Sequence, residues 1–181
     1  MKKTLLLSSL VAALSTVSCF ADPLMFAVKS TPYDHQMERI RPILTADHHS
    51  AATHVSIAAV NAWIADLRSI PYGFTRVWKT PAETESGAPA DCKAKAVALY
   101  ERMTSRGAKD VRLVIGHRTA TSRQTHAWLA WETANGSYVL DPTFNYYAAK
   151  TTQVGRHNYE PLYVFDGDKK YRATGGLVAQ N

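Results

Sequence analysis

The hydrophobic pattern of this chain changes its period at Gly107, and that change decides its structural class. From about His54 the apolar residues recur at helical spacing. Val55, Ala59, Ala62 and Trp63 share one face, with Ile57, Val60, Ile64 and Leu67 beside it. Pro71 stops this helix, and Tyr72 and Gly73 form the turn. Residues 74 to 90, which hold Pro81, Gly87 and Pro89, read as a loop. A second helix is expected from Asp91 or Cys92 to about Ser105, closed by Gly107 in the left-handed conformation. Beyond it the pattern alternates. Val111 to Gly116, Thr125 to Glu132 and Ser137 to Leu140 read as strands, with a hairpin turn at Asn135-Gly136. Leu162 to Phe165 is a further strand, and Tyr171 begins another after the Gly167-Asp168 turn. Helices followed by an antiparallel sheet make the chain α+β.

Residues 1–21 read as an export signal. Lys2 and Lys3 supply the positive start, Thr4 to Val17 an uncharged run too short to span a bilayer, and Cys19 and Ala21 the small residues before a cleavage at Asp22. The alternative is a lipoprotein acylated at Cys19, although Thr16 and Ser18 fit a lipobox poorly. The cleaved signal implies a periplasmic or secreted protein. No other segment approaches membrane-spanning length. About 160 residues then remain, enough for one domain with a core. Residues 22–53, broken by Pro23, Pro32 and Pro42, read as an arm with one short helix near Gln36 to Ile40. Residues 54–181 form the main body, and a monomer is expected.

There are 21 basic and 15 acidic residues, and two of the lysines fall in the signal, which leaves a net charge of +4. These charges form no block or stripe, so the composition does not argue for nucleic acid. The aromatics Tyr72, Phe74, Tyr146, Tyr147, Tyr159 and Tyr163 read as core or cleft-rim residues. Asp47, His48, His49 and His54 do not complete a zinc spacing, so no metal is expected there.

Removal of the signal would leave Cys92 as the one cysteine of an exported chain, a setting in which cysteines normally pair. It stands at the start of a helix, where unpaired N–H groups and the helix dipole favour a thiolate. Its charged neighbours Asp91, Lys93 and Lys95 argue against a buried apolar thiol. His126 is a candidate general base on a strand whose residues His126, Trp128 and Ala130 share one face and Ala127, Leu129 and Trp131 the other. Asp141 is a candidate to orient the imidazole, or simply begins a turn at Asp141-Pro142.

Hairpin register tests that grouping. A two-residue Asn135-Gly136 turn leaves Asp141 four residues, roughly 13 Å, too far along its strand. A loop from Thr133 to Gly136 pairs Glu132 with Ser137 and makes Asp141 a same-face diagonal neighbour of His126, at about 7–8 Å between Cα atoms. A triad requires the second register.

These stretches resemble the transglutaminase-like superfamily, and most closely the bacterial transglutaminase-like cysteine proteinases with a papain-like core. The matching segments are VNAWI (60–64), IPYG (70–73), VWKTPAE (77–83), GAPADCKAKAVALYERM (87–103), VRLVIG, THAWLAWE, YVLDPT and YEPLYVF (159–165). The resemblance covers roughly residues 55–171. It implies an exported thiol hydrolase acting on peptide or amide bonds, and a protein or peptide of the cell envelope is the expected substrate. Cys92 would be the nucleophile, His126 the base and Asp141 the orienter, with no cofactor. Trp78 matches the family's tryptophan ahead of the nucleophile, which implies a site-lining or oxyanion-binding role; the residue alone reads equally as a core aromatic. Transfer to an amine, or an inactive binding protein, are the alternatives. Calcium-regulated relatives carry acids around the cysteine, whereas this chain has Lys93 and Ala94 after it, which speaks against a calcium site.

Overall fold

The helix that begins at Cys92 lies at the centre of the architecture. A computed structural model describes residues 24–47, 54–155 and 158–174. The expected signal, and His48 and His49, lie outside the described residues. Numbered along the chain, the helices are α1 (Arg41–Leu44), α2 (Ile57–Ser69), α3 (Pro81–Thr84) and α4 (Cys92–Thr104). The strands are β1 (Met25–Ala27), β2 (Val111–Thr119), β3 (His126–Thr133), β4 (Gly136–Leu140), β5 (Ala149–Lys150), β6 (Asn158–Asp166) and β7 (Lys169–Ala173). All seven strands form one antiparallel sheet in the order β1-β7-β6-β2-β3-β4-β5. The α+β class expected from the change of period is what forms.

Asp91 caps α4, its side chain accepting from the N–H of Ala94, and Gly107 follows the helix at φ 85°. Every residue from Ala94 to Tyr100 is buried, because α4 is sandwiched between β2 and β3 and the other helices. Ala94, Ala96 and Ala98 suit that position, since a small side chain lets both layers approach. In α2 the buried residues are Val60, Ile64 and Leu67, a narrower stripe than the sequence pattern outlined. Val55, Ala59 and Trp63 are only half-buried and Ala62 is exposed.

Three elements depart from the sequence reading. The arm contributes β1, which pairs with β7; three residues are too few to show a period. Its helical part is a 3-10 turn at Glu38–Ile40 running into α1. The stretch read as loop contains α3, opened by a Thr80–Glu83 capping box with Pro81 in its first turn. That signal is present in the sequence as Thr80, Pro81 and Glu83, where proline fits the first turn of a helix as well as a loop.

The sheet separates two apolar layers. Leu113, Ile115, Ala127, Leu129, Trp131 and Leu140 face the helices, whereas Val114, Trp128, Val139 and Val164 form a smaller cluster on the other side. The alternation expected for β3 is therefore correct. Strand β6 begins at Asn158, four residues before the expected Leu162, because its register against β2 shifts between Ile115 and Gly116 and the irregularity accommodates Pro161. Gly116 faces His126 across β2 and β3, and a Cβ there would lie 2.1 Å from the Glu160 carbonyl oxygen and 2.8 Å from Cα of Pro161. Those are backbone atoms that cannot yield cheaply. Gly116→Ala is expected to destabilise the domain by about 3 kcal/mol or more in urea unfolding; an unchanged midpoint would refute this account of the bulge.

Candidate active site

The register of the β3–β4 hairpin brings a histidine and a carboxylate together. Glu132 pairs with Ser137, and Thr133 with Gly136, so the tight turn is Ala134-Asn135 rather than Asn135-Gly136. Carried past Leu129 and Leu140, this register sets Asp141 on the face shared by His126 and Trp128. Nε2 of His126 lies 2.8 Å from Oδ2 of Asp141. This is the second of the two registers considered above.

Asp141 does two things at once. Its Oδ1 accepts from the N–H groups of Thr143 (2.9 Å) and Phe144 (3.2 Å), which folds the turn after β4. Its Oδ2 holds the imidazole and accepts from the Tyr159 hydroxyl at 2.8 Å. The turn reading and the orienting position are thus both true of one fully buried side chain. Tyr159 also lies 3.1 Å from Oδ1 of Asn145. A phenol has one hydrogen to give, and the carboxylate is the stronger acceptor; an Asn145 amide turned by 180° would donate to the phenolic oxygen instead.

Cys92 approaches the same ring from the helix side. Its thiol is half-buried at the edge of the helix-side core. His126 is the first residue of β3 and lies beyond the last β3–β4 pair, Leu129 with Leu140. Burial by itself would lower the His126 pKa. The bond to Asp141, an interaction with the Cys92 thiol and the charges of both outweigh that and raise it to about 9. Burial would raise the Asp141 pKa, but its bonds to His126, Tyr159 and Thr143 hold it below the ordinary carboxylate value. With Nε2 committed to Asp141, Nδ1 is the nitrogen left for the thiol. Phe144 covers the ring at 5.1 Å between centroids, with the Arg118 guanidinium 4.5 Å over Phe144.

The charges beside Cys92 are arranged differently from the expectation. Asp91 is 0 % exposed and Lys95 2 %, so two of its charged neighbours are more buried than the thiol. Lys95 donates to the carbonyls of Ile70 (2.6 Å) and Arg68 (3.4 Å) at the end of α2. Arg68 in turn donates to the Thr143 carbonyl at 2.8 Å and steadies the turn that carries Asp141. Trp78 is buried in the helix-side core, with its indole N–H unpartnered among the described residues. Tyr159, expected only as a core or cleft-rim aromatic, and Asn145, which no sequence signal singles out, belong to the site. Tyr159 is 18 positions from Asp141, and only the folding of β6 beside β2 brings it near. It also holds a positive φ of 59°, unusual for a tyrosine.

No protein-family model matches this chain, and neither does any curated protein. Solved structures do. The calcium-bound form of LapG from Legionella pneumophila is 18% identical over 66% of this chain and 72% of its own, with a TM-score of 0.53. The EGTA-treated form is 19% identical over 64% and 66%, also at 0.53, and a third LapG structure is 18% identical over 65% and 68%, at 0.51. This likeness establishes the transglutaminase-like fold. The head of α4 does not fit a calcium ion. The Asp91 oxygens accept from Ala94 N–H, Thr75 N–H and the Lys93 ammonium, which leaves a cation already in place. Among the described residues no group of three or more His, Cys, Asp or Glu is placed to hold a metal.

The paired shifts set a pH window. His126 is held above its unfolded value of about 6.5, so its contribution to stability is complete below that pH and is lost as pH rises through about 9. Asp141 is held low, so its contribution persists above the ordinary carboxylate value and is lost as pH falls through its depressed one. Thermal melts are expected to show stability declining from pH 6.5 to 9, with the decline flattened in Asp141→Asn. An equal alkaline slope in that variant would sink the assignment.

Proposed function

We propose that this protein is an exported cysteine peptidase or amidase that cleaves peptide or amide bonds through a Cys92–His126–Asp141 triad. The observation that carries the reading is the His126 ring, shared between a buried carboxylate and a thiol at the head of a helix. LapG, a transglutaminase-like cysteine protease, has the same fold, which agrees with this chemistry. The export-type N-terminus supports a protein or peptide of the cell envelope as the substrate.

In this mechanism Nδ1 of His126 takes the thiol proton, and Asp141 steadies the resulting imidazolium. The thiolate attacks the carbonyl carbon of the substrate amide. The oxyanion meets the N–H groups that open α4: Asp91 caps Ala94, which leaves those of Cys92 and Lys93 for a ligand. His126 returns the proton to the leaving amine as the tetrahedral species collapses to a thioester. Water, activated by the same imidazole, then releases the acid and restores the thiol. Trp78 supports this end of the helix from the core, with the Lys93 ammonium 6.0 Å from its ring centroid.

Cys92→Ala and His126→Ala are each expected to abolish cleavage of envelope proteins while keeping a cooperative melt. Asp141→Ala should keep weak activity, because its action on the reacting atoms is indirect. Incubating the purified protein with envelope proteins, beside the Cys92→Ala control, tests this directly. Incorporation of a fluorescent amine without net cleavage would reassign the acceptor from water to amine. A wild-type Cys92 that iodoacetamide labels at pH 6 no faster than free cysteine would end the enzyme reading altogether.

A further inference from the structure

A buried carboxylate directly before a nucleophilic cysteine poses an electrostatic problem. Asp91 is needed as the cap of α4, yet its negative charge opposes a thiolate at the next residue. Both functions of that side chain are visible: Oδ1 accepts from Ala94 N–H at 3.1 Å, and Oδ2 from Thr75 N–H at 3.2 Å. The Lys93 ammonium, two residues on, pairs with the same Oδ2 and also donates to the Thr75 carbonyl at 2.8 Å. It lies 5.2 Å from the Phe74 ring centroid and 6.0 Å from that of Trp78. A carboxylate, a carbonyl oxygen and two aromatic rings form the surroundings of a cation, and the chain fills them with its own lysine.

We propose that Lys93 is a positioning residue that supplies, from within the chain, the positive charge balancing Asp91 beside Cys92. The pair lets α4 keep its cap directly beside the nucleophile, and straps residues 72–78 over the helix head. This rests on Cys92 being the nucleophile. The other titratable groups facing the thiol are His126 from β3, backed by Asp141, and the neutral phenol of Tyr72 from the loop after α2, whose pKa is raised by desolvation and by the charges of Cys92 and Asp91. On α4 itself Lys95 is turned toward Arg68, Ile70 and Asp141.

The test is the pH profile of Cys92 alkylation by iodoacetamide, with a melt on each variant. Lys93→Met, which leaves the carboxylate unbalanced, is expected to move the thiol midpoint up by about one pH unit; Asp91→Asn, which keeps a capping side chain, should move it down by a similar amount. The double variant should return near the wild-type midpoint. A merely structural pair would give no such opposite signs. Should Lys93→Met fail to fold, Asp91→Asn decides alone, because a downward shift supports the proposal and an upward or absent shift overturns it. Calcium or EGTA should leave the wild-type profile in place, and a calcium-dependent midpoint would show that an outside cation does the balancing. Failure of the underlying enzyme reading is separate, since it appears in the wild-type rate against free cysteine.

Discussion

One carboxylate, that of Asp141, holds the candidate site together. Its two oxygens have different partners: one gathers the N–H groups of the turn after β4, the other the imidazole and a phenol. A buried carboxylate is tolerable only when its lone pairs are filled, and here four donors fill them. Because the same residue shapes the turn and holds the ring, the backbone geometry and the imidazole orientation are one constraint. Arg68, tied to the Thr143 carbonyl, extends that constraint to the end of α2.

The sheet and α4 deliver the partners to this point by unrelated means. The β3–β4 register sets which face His126 and Asp141 occupy, and a slip of one residue would turn one of them away. The bulge opposite Gly116 lets β6 pass close enough for Tyr159 to reach the carboxylate. On the other side, the small residues of α4 allow it to sit low on β2 and β3, and its start projects Cys92 toward the first residue of β3. The thiol and the ring thus come from different layers and meet at the start of β3.

Charge at the helix head is organised inward. Asp91 and Lys95 are buried and matched, Asp91 by Lys93 and backbone donors, Lys95 by carbonyls at the end of α2. A stretch reading as a polar helix start is in fact a set of internal fasteners between α4, the loop after α2 and α2 itself. The same matching removes the oxygen ligands a divalent ion would need.

Much of this was legible in the chain. The change of period at Gly107, the start of a helix at Asp91 or Cys92, the cap Gly107 and the two-fold alternation of β3 follow from local physics: helix ends need partners, and side chains alternate on a strand. Cys92 at a helix start and His126 on its face could be named for the same reason. The Thr80–Glu83 capping box was equally local and was outweighed by Pro81. What the chain alone left open was the hairpin register, since Asn135-Gly136 argued for a turn that would have carried Asp141 out of range. Packing on both faces of the sheet settled it. The roles of Tyr159, Lys93 and β1 were beyond local reading altogether, because each depends on which distant segment lies alongside, and the free energy that decides this comes from burial shared across the whole core rather than from any window of sequence.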